Sequence, residues 1–240
     1  MAMERLDKII ASTGHWSRRE VKSLIRQGKV LVDGVPPRSG EEKADPERVR
    51  ISVNGTEIAY RRYTWVMLNK PAGYLSATED GRGKTVLDLL PPELQRQKLF
   101  PVGRLDKDTE GLLLLTNQGG LAHDLLSPRH HVDKIYYTRV SGHLTEEDCR
   151  AFAAGMTLDD GLVCLPAGLE ILSAGERESE ARVTLREGKF HQIKRMLAQL
   201  GKPVVYLERI AMGNLTLDPE LARGEFRFLT EKEVELLQKA

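Results

Sequence analysis

Apolar and polar positions follow two different periods along this chain, which predicts a mixture of helices and strands. Apolar residues recur at helical spacing in four segments, which are residues 119–126, 145–155, 191–200 and 231–239. Short runs rich in β-branched and aromatic residues lie outside them, namely TWVMLNK, DKIYYTRVSG, SEARVTLREG and FRFLT. Because these strands do not alternate regularly with long helices, the predicted fold class is α+β with a mixed, mostly antiparallel sheet.

The first 60 residues predict a smaller module of their own. Leu6, Ile9, Ile10 and Thr13 recur at helical spacing. Ser17 followed by Glu20 is a capping-box signature, and it predicts a second helix that ends near Gly28. The run KVLVDGVPP then predicts a strand, a turn and the start of a second strand, and the alternating residues Val49, Ile51 and Val53 predict another strand.

Charge is concentrated in this module. The whole chain of 240 residues has a net charge of only +1, whereas residues 1 to 30 carry a local net charge of +4. Arg18, Lys22, Arg26 and Lys29 fall on one face of the second predicted helix. Such a stripe is either a solvated surface or a contact face for RNA phosphates.

Cysteine usage and hydropathy bound the cellular context. Cys149 and Cys164 match neither a disulfide framework nor a metal spacing, so both are interpreted as structural thiols in a reducing compartment. The N-terminal MAMERLDK lacks an apolar signal core, and no apolar run approaches the ~20 residues that span a bilayer. A cytoplasmic location without membrane contact is expected.

The run GRLDKDTEGLLLLTN, residues 103–117, is the strongest candidate for chemistry. Its four consecutive leucines are typical of a strand covered on both faces, and Asp106 stands just ahead of them. Asp106, Asp108 and Glu110 also match calcium-loop positions, but Asn117 stands where that loop needs a bidentate Glu. A plain surface pair with Arg104 or Lys107 is the remaining alternative.

Three further segments accompany that run: LNKPAGYLSA (68–77), KIYYTRV (134–140) and EGKFHQIKRM (187–196). In this order the four segments resemble the RsuA branch of the pseudouridine synthases, which isomerise uridine in ribosomal RNA. The first segment of the chain, RLDKIIASTGHWSRREVKSLIRQGKVLVDG, resembles the alpha-L RNA-binding domain shared with ribosomal small-subunit protein four. The resemblance implies an RNA-binding domain over residues 1–60 and a catalytic domain over 61–240, built on a bent mixed sheet.

The resemblance also assigns roles to site residues. Asp106 matches the essential carboxylate, which either attacks the substrate covalently or deprotonates the ribose to give a glycal. Lys194 matches its basic partner, which keeps the carboxylate ionised in a partly dry cleft; the alternative for Lys194 is a phosphate contact. Tyr136 matches the active-site tyrosine, and Arg104 is expected to fill the gap left by an everted nucleotide.

Further cations are expected to contact substrate RNA. They are Arg18, Arg19, Lys22, Arg26, Lys29, Lys189 and Arg195. Since the isomerisation is redox-neutral, neither a cofactor nor a metal is expected. The expected partner of the chain, which is taken to be a monomer, is ribosomal RNA or a ribosomal subunit assembly intermediate.

The spelling HQIKRM favours 16S RNA of the small subunit as the target. The alternatives are a 23S enzyme of the same family and a non-catalytic ribosome-assembly protein that binds RNA. Glycoside hydrolysis would need a second carboxylate flanking the bond, and Asp108 is expected to point elsewhere.

Overall fold

The computed structural model describes residues 3–127 and 132–239. The chain forms two compact units. The first comprises residues up to Thr64 together with Leu90–Leu99, and the second comprises Trp65–Leu89 and the chain from Phe100 onward. The predicted division into 1–60 and 61–240 does not include the segment Leu90–Leu99 in the first unit.

The first unit combines short helices and short strands. Its helices are α1 (Leu6–Ser12), α2 (Arg18–Arg26) and α3 (Pro92–Gln95). Its strands are β1 (Glu4–Arg5), β2 (Val30–Val32), β3 (Lys43–Ala44), β4 (Ile51–Val53) and β5 (Thr56–Ile58). Strand β4 lies between β2 and β5, and β1 pairs with β3. The apolar faces of α1 and α2 share one core with Val30, Ile51 and Val53.

Local sequence signals account for most of this unit. The side chain of Ser17 accepts a hydrogen bond from the Glu20 N–H and the Glu20 carboxylate accepts one from the Ser17 N–H, so the predicted capping box is confirmed. The predicted second strand after Gly34 is wrong, because Val35 forms only an isolated bridge with Val32. The partner of β2 comes instead from β4.

The second unit is built on one large mixed sheet. Its strands are β6 (Trp65–Lys70), β7 (Phe100–Pro101), β8 (Glu110–Thr116), β9 (Lys134–Ser141), β10 (Met156–Thr157), β11 (Val163–Cys164), β12 (Gly168–Ala174), β13 (Glu178–Leu185), β14 (Val204–Met212), β15 (Leu215–Thr216) and β16 (Phe226–Phe228). Its helices are α4 (Gly119–Leu126), α5 (Glu146–Ala154), α6 (Gln192–Gln199) and α7 (Glu231–Gln238), with a 3₁₀ turn at Val86–Leu89.

The strand order explains why the sheet is mixed. Along the main path it runs β12-β13-β9-β14-β8-β6-β16, with β15 on β14 and β7 on β8. The pairing of β14 with β8 is parallel, and the other pairings are antiparallel. The predicted α+β class and the mostly antiparallel sheet are therefore confirmed. Strands β10 and β11 form a separate two-stranded hairpin.

Burial of β8 follows from its position inside the sheet. Leu112 to Leu115 are all fully buried, as the continuous apolar run predicts. Leu112 and Leu114 pack in a core with residues of α4 and α7. The strand is thus fixed on both faces, and the loop that enters it starts from a rigid support. In the described residues no helix is long and apolar enough to cross a membrane.

Candidate active site

Asp106 lies in the loop that joins β7 to β8. The loop begins at Val102, whose N–H donates to the Leu114 carbonyl, and it turns at Asp106, whose carbonyl accepts from the Thr109 N–H. The Asp106 side chain is 27% exposed. The carboxylate therefore stands at the entrance of a buried strand, in the position that the sequence indicated.

The segment after β6 holds this loop in place. The Ser76 hydroxyl donates to the Leu105 carbonyl at 2.9 Å and accepts from the Leu105 N–H at 3.0 Å. The Gly73 N–H donates to the Lys107 carbonyl at 2.7 Å. These bonds fix the backbone on both sides of Asp106, which explains what the LNKPAGYLSA segment contributes to the site.

Lys70 also holds this loop in place, through hydrogen bonds to its backbone. It is fully buried, and its ammonium donates to the carbonyls of Pro71, Lys107 and Thr109 at 3.1, 3.2 and 2.7 Å. Burial lowers the pKa of Lys70 to about 8, against the opposing attraction of Glu110, Asp108 and Asp106. A buried cation is thus satisfied almost wholly by backbone oxygens.

Lys194 reaches Asp106 from helix α6. Its Nζ lies 2.9 Å from Asp106 Oδ2 and 2.6 Å from Asp108 Oδ1. Burial alone would lower the pKa of Lys194, but its hydrogen bonds to Asp108 and Asp106 outweigh burial and raise it. The hydrogen bond from Lys194 lowers the pKa of Asp108. One ammonium therefore pairs with two carboxylates.

The position of Asp108 differs from the expectation. The sequence interpretation that Asp108 points elsewhere is wrong, since its carboxylate converges with that of Asp106 on Lys194. The Asp108 side chain is nevertheless 75% exposed and lines a different cavity from Asp106. Asp108 is therefore an outer partner of the lysine.

Helix α6 begins directly at the site. His191 precedes it in a left-handed conformation, with φ of 51°, and its Nε2 lies 3.6 Å from Asp106 Oδ1. The His191 ring stacks on Phe190 at 3.8 Å between centroids, and Phe190 is 72% exposed. An exposed aromatic ring thus stacks on the histidine that lies 3.6 Å from the Asp106 carboxylate.

Tyr136 completes the cavity from strand β9. It is 8% exposed and stands between Arg209 of β14 and Val183 of β13 in the sheet. Tyr137 points to the opposite face, as strand alternation predicts, and its ring contacts Tyr206. The cavity of about 70 Å³ is lined by Asp106, Tyr136 and Lys194 together with Arg104 and Thr109.

Thr109 adds an unused hydrogen-bonding group to this cavity. The residue is 2% exposed, and its Oγ1 has no hydrogen-bond partner in the described part of the chain. A buried hydroxyl without a partner carries a desolvation cost that the described residues leave uncompensated.

The predicted RNA contacts fall into two groups. In the second unit Arg104 is exposed, whereas Lys189 pairs with Glu187 at 3.0 Å and Arg195 pairs with Asp160 at 2.5 Å. In the first unit four cations of the α2 region are exposed, namely Arg18, Arg19, Arg26 and Lys29. Lys22 is partly buried, and its Nζ lies 3.9 Å from Asp7 Oδ2.

Comparison with protein families decides the identity of this arrangement. Residues 64–199 match the family model described as RNA pseudouridylate synthase, and residues 4–46 match the S4 domain. The chain belongs to the RNA pseudouridylate synthase family. The N-terminal S4 match agrees with the resemblance to ribosomal small-subunit protein four.

Whole-chain relatives support this membership. The chain is 46% identical to the uncharacterized RNA pseudouridine synthase YtzG of Bacillus subtilis, over 98% of each chain. It is 39% identical to ribosomal small subunit pseudouridine synthase A of Vibrio cholerae, over 98% of this chain and all of that one. The corresponding Escherichia coli K12 protein is also 39% identical, over 96% of this chain and 98% of its own. A crystal structure of a pseudouridylate synthase covers 97% of this chain and 99% of its own with a TM-score of 0.68 and 36% identity.

Several site residues of this pseudouridylate synthase were not found from the sequence. Lys70, Ser76, Thr109 and His191 all support or line the Asp106 cavity. The only sequence signal was their position inside the motif segments, since Lys70 and Ser76 lie in LNKPAGYLSA and His191 in EGKFHQIKRM. Residue type alone gave no reason to single out any of the four.

Proposed function

We propose that this RNA pseudouridylate synthase isomerises a uridine of small-subunit ribosomal RNA, with Asp106 as the essential carboxylate. The observation that carries the proposal is the ion pair of 2.9 Å between Asp106 and Lys194 in a cavity that also contains Tyr136. The three groups come from a loop, a strand and a helix. An ordinary ion pair on the surface would not bring three separate elements together around one cavity.

The reaction divides the work among these groups. The bond between C1′ and N1 of the uridine breaks, the ring turns, and C1′ bonds to C5, which then loses its proton, while N1 regains one. Asp106 either attacks C1′ or removes a ribose proton. Lys194 places a positive charge 2.9 Å from the carboxylate, and Tyr136 stacks on the free uracil. Arg104, which is exposed beside the cavity, takes the place of the everted nucleotide.

Hydrolysis of the glycosidic bond is less well supported. A glycosidase would place two carboxylates on either side of the scissile bond. Asp106 and Asp108 both contact Lys194 and line different cavities, so they do not enclose one substrate. Free uracil as the product would nevertheless indicate hydrolysis and overturn the proposal.

The small-subunit target rests on the relatives named for that activity, at 39% identity over nearly the whole chain. The S4 match and the exposed cations of α2 support docking on folded ribosomal RNA, either naked or in an assembly intermediate. With this function we infer a monomer that acts in the cytoplasm. The alternatives are a target in 23S RNA and a purely structural role in ribosome assembly, and the experiments below distinguish them from the proposal.

Two aspartates on one lysine provide a matched test. Asp106→Asn keeps the shape of the side chain and removes its charge, so release of the C5 hydrogen from C5-labelled uridine in rRNA should be lost while RNA affinity is retained. Asp108→Asn removes the other carboxylate from Lys194 and should leave most of the turnover, because Asp108 does not line the cavity. Both variants should melt near the wild-type temperature.

The outcomes separate reaction from target. Wild-type turnover in Asp106→Asn would remove the catalytic assignment and leave only RNA binding. Carbodiimide-adduct mapping of rRNA from cells with and without the protein should reveal one stop that disappears from 16S RNA. A stop that disappears from 23S RNA instead would overturn the target but keep the chemistry.

A further inference from the structure

Two buried cations, Arg209 and Lys134, lie beside Tyr136 and have no part in the reaction described above. Arg209 of β14 is 1% exposed, and its Nε donates to the Leu112 carbonyl at 2.7 Å. Its Nη2 has no hydrogen-bond partner in the described part of the chain. A guanidinium that is buried with donors unused is costly unless an acceptor reaches it.

Lys134 of β9 is a second buried cation in the same place. It is 8% exposed, and its ammonium donates to the Val132 carbonyl at 3.0 Å. Within residues 3–127 and 132–239, neither Lys134 nor Arg209 forms an ion pair with a carboxylate. The nearby Asp133 is engaged by Arg186 at 2.9 Å. Burial and the repulsion of Arg209 lower the pKa of Lys134.

Both cations line one cavity of about 470 Å³. Arg104 and Arg186 line it as well, and its one acidic lining residue among those described is Glu187. The Glu187 carboxylate already accepts hydrogen bonds from the Leu165 N–H and from Gln192, and it pairs with Lys189. The cavity therefore carries an excess of positive charge that the described residues do not neutralise.

This cavity adjoins the one above Asp106. The two share Arg104, Tyr136, Gly188 and Lys189 as lining residues. The Asp106 cavity, with about 70 Å³, is far below the size range of ligand pockets, whereas the cationic cavity lies within it. A nucleotide at Asp106 must therefore extend beyond its cavity, and the shared wall at Tyr136 leads to the cations.

We propose that the cavity lined by Lys134 and Arg209 binds a phosphate group of the substrate RNA strand next to the target uridine. The guanidinium supplies donors in the planar arrangement that suits phosphate oxygens, and the ammonium supplies a compact charge. The bound phosphate relieves the repulsion between two cations that are buried without an anion. This inference rests on the proposed function, since it takes RNA to be the substrate.

Inorganic phosphate tests the site without RNA or catalysis. The melting temperature of the full-length protein should rise with phosphate concentration at constant ionic strength, and the rise should be abolished or strongly reduced in Lys134→Met and Arg209→Gln. Lys134→Met removes a buried charge with one hydrogen bond, so without phosphate it should melt at or above the wild-type temperature. Arg182→Gln is the control, because it removes an exposed cation that pairs with Glu170 at 2.8 Å.

Phosphate also strengthens apolar burial in general, so the measured quantity is the difference between variants at equal phosphate. If Lys134→Met and Arg209→Gln gain as much from phosphate as Arg182→Gln does, the site does not exist. This result would leave the assignment of Asp106 untouched.

Turnover on rRNA gives an independent readout. Removing an interaction that is equally strong in the ground and transition states should raise KM in Lys134→Met by about tenfold or more, with kcat nearly unchanged. The slope of log affinity against log salt should become shallower by about 0.7 to 0.9. A fall in kcat at unchanged KM would contradict phosphate binding. If phosphate stabilises the protein but the protein isomerises no uridine, the proposed function is wrong and the phosphate site at Lys134 and Arg209 is retained.

Discussion

The Lys70 ammonium illustrates what single residues contribute to this site. It does not line the Asp106 cavity, yet it donates to the Lys107 and Thr109 carbonyls of the catalytic loop and to the Pro71 carbonyl. Because the acceptors are backbone atoms, the residue types at those positions do not reveal the interaction. The loop that presents Asp106 is therefore held by a residue 36 positions earlier in the chain.

Replacing Lys70 tests this support. Lys70→Met removes the ammonium that donates to three carbonyls, so the free energy of unfolding at pH 7 should fall by about 1 to 3 kcal/mol. The pKa of Lys70 is about 8 when folded and 10.5 when unfolded, so between these values the unfolded chain binds more protons. Wild type should gain stability relative to the variant as the pH rises from 8 to 10.5. Urea unfolding across this range measures the gap.

The control for that series is Lys232→Met on the exposed side of α7. Its stability difference from wild type should stay small and independent of pH. A constant gap between wild type and Lys70→Met from pH 8 to 10.5 would show that the burial of Lys70 does not control its protonation.

Sequence reasoning reached part of this residue-scale picture. It found Asp106 from the charged residue ahead of an apolar strand, and the meeting of Asp106 with Lys194 through the family resemblance. It could not place Asp108 on the same lysine, because side-chain direction in a turn depends on backbone angles that composition does not set. The left-handed His191 was hidden for the same reason.

At the scale of elements, the periodicity of apolar residues predicted the apolar strands and the helices, but it did not predict the central strand β14. Its sequence VVYLERIAM places Glu208 and Arg209 inside a sheet, which breaks the apolar pattern. The structure compensates Glu208, which accepts from Tyr206 and pairs with Arg223 at 2.9 Å. Such long-range partners are invisible to a local pattern, so polar strands inside a sheet are read as loops.

The parallel contact between β8 and β14 depends on one glycine. Gly111 has φ of +95°, and a Cβ there would lie 2.3 Å from the Arg209 carbonyl oxygen. Gly111→Ala should therefore lower the free energy of unfolding by about 2 to 5 kcal/mol, through backbone strain and overpacking. Gly119→Ala, where an added Cβ meets nothing within 4 Å, should be neutral or slightly stabilising. Urea denaturation of both variants measures the difference, and equal stabilities would contradict a close strand approach.

At the scale of the whole molecule, charge is divided unevenly between functions. The net charge of +1 conceals an N-terminal segment of +4, and the structure leaves most of the α2 cations exposed. The sequence could predict this stripe because helical spacing alone sets which residues share a face. The predicted split at residue 60 as a functional boundary stays a prediction.

The α2 cations should each add an electrostatic attraction to RNA that weakens as the salt concentration rises. Arg26→Gln combined with Lys29→Gln should make the salt dependence of rRNA affinity shallower by about 0.7 to 0.9 for each phosphate that these cations no longer neutralise. The same change at Lys232 and Lys239, which are exposed in the α7 region, should leave the slope unchanged. Filter binding from low to moderate salt distinguishes them. Equal slopes in both double variants would exclude α2 from the RNA interface.

The membership of Leu90–Leu99 in the first unit has a consequence for fragmentation of the chain. The side chains of Arg96 and Gln97 donate to backbone carbonyls of the turn at residues 13–15. A protease that cuts once between residues 61 and 64 therefore yields two pieces, of which the larger still carries a structural part of the smaller. Non-covalent association after nicking, rather than release of a free N-terminal peptide, is the expected result on a gel-filtration column.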